Sequence, residues 1–168
     1  MKKLLGVVIV FSLSLFSSCY TLKNQSIPPG LKTINVQFFE NNAALVVNNL
    51  SQTFTESLKE RIRTQTSLSL VRGEADATMS GSIVGYTIAP VSIEATSNNV
   101  APIADANRLT ISVKVKFVYD ADKKLNFEET FTKFTNYRGD ITPQEQNLIQ
   151  GIIKQLNDDI FNRAFSNW

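Results

Sequence analysis

Ile34, Val36 and Phe38 alternate with Asn35 and Gln37, the period-two pattern of a strand with one buried face. A first strand is therefore expected from Thr33, ending through Phe39 at an Asn41-Asn42 turn. From Ala43 to about Thr64 the period becomes helical. Val46, Leu50, Phe54, Leu58 and Ile62 fall four apart on one stripe, with Lys59, Glu60, Arg61 and Arg63 between stripe positions, as on a helix that buries one side. The short Leu68-Ser-Leu-Val71 run ends at Gly73 and reads as connection toward the next strand.

Ala75 to Ile88 reads as a glycine-rich strand with Ala77, Met79, Gly81, Ile83 and Gly85 on one face. Small residues there predict the close approach of a helix. Residues 89–107 are polar, carry Pro90, Pro102 and Asn98-Asn99, and read as a long loop of the kind that is functional when it occurs in a compact domain. Leu109, Ile111, Val113, Val115, Phe117 and Tyr119 then alternate with Thr110, Ser112, Lys114 and Lys116, the clearest strand of the chain. The polar run Asp120-Ala-Asp-Lys-Lys124 turns into Leu125, Phe127 and Phe131, an antiparallel hairpin. Centring the turn on Asp122 sets Phe117 against Phe127, Val113 against Phe131 and Lys116 against Glu128. The same register puts Glu129 opposite Val115 on the core face, which calls for a bulge or an edge position there.

Thr142-Pro143-Gln144-Glu145 supplies an N-cap hydroxyl, a proline at the first helical position and a glutamate that closes a capping box. The helix that follows carries Leu148, Ile149, Ile152, Ile153, Leu156, Ile160, Ala164 and Phe165 on one wide face, which needs a sheet to cover. The element order is β-α-β-β-β-α. Sequential strands joined by short connections form an antiparallel meander, and the first strand joins it through its helix. The expected fold is an α+β two-layer sandwich: a four-stranded mixed sheet with both amphipathic helices on one face. The other face, with Thr110, Ser112, Lys114 and Lys116, is left for solvent or a partner.

The N-terminus changes the picture. Lys2 and Lys3, the apolar run Leu4 to Phe16 and the small pair Ser17-Ser18 have the layout of a secretory leader, too short for a membrane span of about 20 residues. Cys19 is the one cysteine of the chain and follows the leader directly. The segment resembles a lipobox, with Ser17 and Ser18 before the cysteine and Phe16, rather than leucine, one place further back. The expected organisation is a removed signal peptide at 1–18, a lipidated tether at 19–32 containing Pro28, Pro29 and Gly30, and one domain at 33–168. Two or three acyl chains on Cys19 anchor a protein stably, at about 0.8 kcal/mol per buried methylene.

Loss of Lys2 and Lys3 leaves 17 − 2 = 15 basic residues facing 15 acidic ones. A neutral mature chain argues against nucleic-acid binding driven by bulk charge. With no histidine there is no Ser-His-Asp triad, Cys-His pair or imidazole metal ligand, and acylation removes the only thiol. Asp158-Asp159 lies on an amphipathic helix and Glu128-Glu129 straddles the two faces of a strand, so neither pair forms a catalytic setting. No enzyme activity, metal or other cofactor is expected.

The lipidated Cys19, the Pro28-Pro-Gly-Leu-Lys-Thr-Ile34 lead into the first strand, the Leu45 to Ile62 helix, the Ala75-Asp-Ala-Thr-Met-Ser-Gly-Ser-Ile-Val-Gly-Tyr86 strand, and the hairpin with its capped terminal helix together resemble the LptE family of lipopolysaccharide-assembly lipoproteins. That resemblance implies a non-enzymatic protein at the inner leaflet of the outer membrane. It would face the periplasm, plug the lumen of a large LptD-like β-barrel and help deliver lipopolysaccharide to the cell surface. Basic side chains of such a protein can contact lipid A phosphates, and Lys114, Lys116 and Arg138 are the candidates here. Each also has an ordinary reading: Lys116 as the partner of Glu128, Lys114 as a solvated residue, Arg138 as the end of a strand beside Gly139. The Ala75 to Ile83 strand also resembles those of curli-assembly and penicillin-binding-protein activator lipoproteins, an alternative role in envelope assembly.

Overall fold

The structure is a computed structural model and describes residues 27–45, 47–93 and 103–166. The leader, Cys19, tether residues 19–26, Val46 of the helical stripe and residues 94–102 lie outside the described residues. The elements are β1 (Thr33–Val36), β2 (Glu40–Asn41), α1 (Leu50–Gln65), β3 (Ser69–Leu70), β4 (Ala77–Ile93), β5 (Ile103–Tyr119), a 3-10 turn (Lys123–Leu125), β6 (Phe127–Arg138) and α2 (Glu145–Phe165). The sheet runs β3-β1-β4-β5-β6, with β2 also on β4. β1 lies parallel to β3 and β4, and the β4-β5-β6 meander is antiparallel.

The α+β class and the meander match the expectation; the strand count does not, being six rather than four. Both additions are two residues long, too short for alternation to register. β2 resumes the path of β1 beside β4, with Glu40 and Asn41 opposite Ser82 and Ile83. β3 comes from the Leu68 to Val71 run read as connection, and Thr33 and Ile34 pair with Ser69 and Leu70.

A single core fills the space between the sheet and both helices. Ile34, Val36, Met79, Ile83, Ile111, Val113, Val115 and Phe117 come from the sheet, Leu50, Phe54, Leu58 and Ile62 from α1, and Ile149, Ile152, Ile153, Leu156, Ile160 and Phe165 from α2. Phe117 stacks on Phe127 at 5.7 Å and meets Phe165 edge-on at 5.9 Å. Such pairs add about 0.5–1.5 kcal/mol beyond area burial. Thr55, also fully buried, accepts the Phe39 N–H at 3.1 Å and ties α1 to the β1–β2 break.

Three local expectations are corrected. α1 begins at Leu50 rather than Ala43. The Asn41 side chain accepts the Ala43 N–H and turns the chain, and Asn49 precedes the helix at φ 63, a left-handed conformation that asparagine tolerates better than most residues. α2 does not use the Thr142 capping box, for Gln144 occupies the cap position without a side-chain cap. The Thr142 N–H and hydroxyl instead donate to Asp140, holding that carboxyl below its usual range, while Glu145 accepts the Tyr86 hydroxyl at 2.7 Å. Finally, β4 and β5 extend through most of the stretch read as a loop, pairing from Ala77↔Tyr119 to Ile93↔Ile103. Only 94–102 of that loop remains outside the described residues.

The β4–β5 register slips between Ile83 and Gly85. The extra residue returns Tyr86, not Gly85, to the core. At Gly81 the close neighbours are the Phe39 ring and the Lys114 carbonyl, so the small side chain admits a phenylalanine and a strand backbone rather than a helix.

Candidate functional site

With both helices on one side, the opposite sheet face carries none of the described elements. Its rows run Lys116 beside Glu128, Lys114 beside Thr130, Ser112 beside Thr132, Thr110 beside Phe134 and Arg108 beside Asn136. Ser80, Ser82 and Thr87 continue these rows onto β4, opposite Lys116, Lys114 and Thr110. This is a polar plane of hydroxyls with cations at its two ends.

The hairpin register is as expected: Phe117 faces Phe127, Val113 faces Phe131 and Lys116 faces Glu128. The ion pair, however, runs diagonally, from Lys114 Nζ to Glu128 Oε1 at 2.6 Å. The Lys114 hydrogen bond, then its charge and that of Lys116, hold the Glu128 carboxyl below its usual range. Lys116, expected to be paired, makes no ion pair among the described residues. Ser112 and Thr132 share a hydrogen bond at 2.8 Å across the middle of the face.

Arg138 does not join these lysines. It is opposite Ala106, eight positions along β5 from Lys114, or about 26 Å at ~3.3 Å per residue. Its neighbour is a residue absent from the sequence-based candidates, Arg108. The Arg108 guanidinium lies 4.0 Å from the Phe134 ring centroid and its Nε donates to Asn136 at 2.9 Å. Arg108 and Arg138 stand diagonally on one face in the register, with the Arg108 guanidinium leaning away from Arg138 toward Phe134. Phe134, 50 % exposed, gives this end an apolar platform. Arg108 has the parity of Thr110 and Ser112 and is visible in the sequence once the strand is extended by one residue. Arg138 also ends its strand, before Gly139 at φ 72.

The remaining acidic residues of note are engaged structurally. Glu129 is on the core-facing side of β6, and β6 is the sheet edge, as its pairing requires; it reaches outward to Arg163 of α2 at 2.9 Å. Lys133 does the same with Asp159 at 2.8 Å, and Asp158 pairs with Arg61 at 2.9 Å. At the start of β1, Asp76 accepts the backbone N–H groups of Lys32 and Thr33 at 3.0 and 2.8 Å and the Thr33 hydroxyl at 2.8 Å. Those bonds hold its carboxyl below the usual range. They clamp the backbone where it enters β1. Among the described residues no cluster of three acidic side chains could hold a metal, and no helix is long and apolar enough to cross a membrane.

The fold recurs in solved structures. A minor lipoprotein from Acinetobacter baumannii aligns with TM-score 0.52 and 14 % identity, covering 82 % of this chain and 94 % of that one. A hypothetical protein from Chlamydia trachomatis aligns with TM-score 0.54 and 9 % identity over 82 % and 99 %. The rare lipoprotein B from Shewanella oneidensis aligns with TM-score 0.50 and 10 % identity over 78 % and 92 %. At such identities these likenesses speak to the fold alone. A search of the curated proteins finds no match. The family model described as LptE, lipopolysaccharide-assembly, matches residues 31–164, which is most of the chain. The chain belongs to the LptE family of lipopolysaccharide-assembly proteins.

Proposed function

We propose that this protein is a non-enzymatic, lipid-anchored subunit of an outer-membrane lipopolysaccharide translocon. Its leader at 1–18 is removed, and Cys19 is acylated and holds the chain at the periplasmic side of the outer membrane. The domain fills the water-facing lumen of a large LptD-like β-barrel, helps assemble it and assists delivery of lipopolysaccharide to the cell surface. Within that role Lys114, Lys116 and Arg138 are the candidate contacts to lipid A phosphates, now in two groups, with Arg108 beside Arg138. The distal pair, with its exposed Phe134, matches a phosphate next to an apolar chain better than the lysine pair, whose charge Glu128 partly offsets.

The observation that carries the reading is the uncovered hydroxyl-rich sheet face on a chain of this family. A barrel lumen is polar and wet, and a flat face of serines and threonines can exchange its water for hydrogen bonds to such a wall at little desolvation cost. The test is Thr132→Trp, which puts a large ring in the centre of that exposed face, against Gln155→Trp on the exposed side of α2. The first should lower the co-purified barrel at least tenfold and the second should leave it unchanged. Equal barrel recovery from both variants overturns the placement.

A further inference from the structure

The sheet has two ends that are closed against further pairing and one stretch that is not. β3 at one edge is only two residues long. β6 at the other edge carries Glu129 and Lys133 on its inward-facing positions, both in ion pairs with α2. Short edges and inward charges are the devices by which natural sheets avoid adding strands. β4 differs. Its side away from β5 is covered by β1 at Ala77 to Met79 and by β2 at Ser82 and Ile83. The last backbone bond on that side runs from the Asn42 N–H to the Ile83 carbonyl. From Val84 to Val91 no described residue pairs with this edge, although β5 pairs with its other side as far as Ile93.

This free edge reads Val84-Gly-Tyr-Thr-Ile-Ala-Pro-Val91 and contains no charge. Val84 and Ile88 along it are 42 % and 40 % exposed. Tyr86 between them is buried and held by Glu145, so the strand is fixed in an extended, pairing-competent form. Pro90 and the bulge at Val84 weaken the template at its two ends, and edges are where strands tolerate both.

The occupant follows from charge and area. An uncharged edge with exposed Val84 and Ile88 selects an uncharged extended segment. Eight residues at ~3.3 Å rise and a sheet depth of ~10 Å offer on the order of 260 Å² per side. A stable association needs ~800 Å² per partner, so a second copy meeting this edge alone falls short. The segment must belong to a molecule that also grips another surface, and the uncovered sheet face is continuous with this edge through Thr87 and Ala89, opposite Thr110 and Arg108.

We infer that Val84–Val91 is a strand-docking edge, which an extended, uncharged segment of the same β-barrel partner completes by β-augmentation; this rests on the barrel-plug reading. The test is hydrogen exchange followed by mass spectrometry on the free protein and on the purified complex. Peptides covering Val84–Val91 should exchange at least tenfold more slowly in the complex, through the edge-facing amides that β5 leaves unbonded. The double variant Val84→Lys/Ile88→Lys, at exposed positions, should abolish that slowing while keeping the wild-type melting temperature. A complex that forms with unchanged exchange over Val84–Val91 overturns the docking edge and leaves the plug reading standing. Slowing that appears in the free protein with rising concentration, alongside a dimer in sedimentation, assigns the edge to a second copy and overturns it. Failure of any barrel to co-purify removes both.

Discussion

Gly81 offers the sharpest test of how the sheet packs. A β-carbon added there would overlap the Lys114 carbonyl oxygen and lie 2.6 Å from Phe39 Cε1. The first contact is backbone held in the β4–β5 ladder and cannot rotate away. The second is a fully buried ring packed edge-on against Phe54 at 5.1 Å. Gly81→Ala must therefore push β5 or Phe39 outward, an overpacking cost of about 3 kcal/mol, at the upper end of the usual range. For a domain of this size that corresponds to a fall in Tm of about 6–12 °C. The companion variant is Gly151→Ala, where an added β-carbon meets nothing within 4 Å on the exposed side of α2. Replacing glycine in an open helical position should stabilise by about 0.5–1 kcal/mol. Both are read by thermal and urea unfolding of the unacylated Cys19→Ser protein, followed by circular dichroism. A Gly81→Ala protein within 1 kcal/mol of the parent would show that the Gly81–Lys114–Phe39 approach is wrong, and with it the register of the central hairpin.

Phe54→Ala removes a fully buried ring at the centre of the α1 face and should cost about 3–5 kcal/mol in urea unfolding; a loss under 1 kcal/mol would mean that α1 does not pack as described. Asp76, with its carboxyl below the usual range, contributes stability that is present above the unfolded-state value near 3.8 and lost as pH falls through the lower folded value. Asp76→Asn should thus be less stable than the parent at pH 7, with the gap closing below about pH 4; a gap constant from pH 7 to pH 3 contradicts the clamp. Cys19→Ser should shift the protein from the membrane to the soluble fraction after fractionation, and retention in the outer membrane without its partner would remove the acyl-anchor argument.

The parts of the fold that were legible in the sequence are those where one face is buried over many residues. The alternation from Leu109 to Tyr119 set the hairpin register down to Phe117 against Phe127, and the wide apolar face of α2 is the buried one. Hidden elements lacked that contrast. β2 and β3 are two residues each, a single period of strand alternation and too short to repeat it. The distal halves of β4 and β5 extend where few large apolar residues are buried, so Ala89 to Val91 and Ala106 to Asn107 look like loop although they pair. The slip after Ile83 exchanges the faces of all later residues, which moved Tyr86 inward and Gly85 outward. Cap chemistry misled at α2, because Asp140 accepts the Thr142 N–H and hydroxyl just before the expected start, and periodicity placed the start of α1 seven residues too early, at Ala43 rather than Leu50.

The candidate site was legible in part for the same reason. Lys114 and Lys116 were placed on the uncovered face by alternation alone, whereas the Glu128 carboxylate chose its diagonal neighbour by side-chain reach, which register does not encode. Arg108 fell one residue outside the strand read from Leu109, which begins at Ile103. Its stacking on Phe134 depends on a cross-strand row that only the extended hairpin creates.

The central claim is tested most directly by a mild-detergent pulldown of the tagged mature protein from its native envelope, with mass spectrometry of what co-purifies. A large outer-membrane β-barrel in stoichiometric amount is the predicted result. Recovery of a homo-oligomer or a cell-wall synthase, with no barrel, would contradict it.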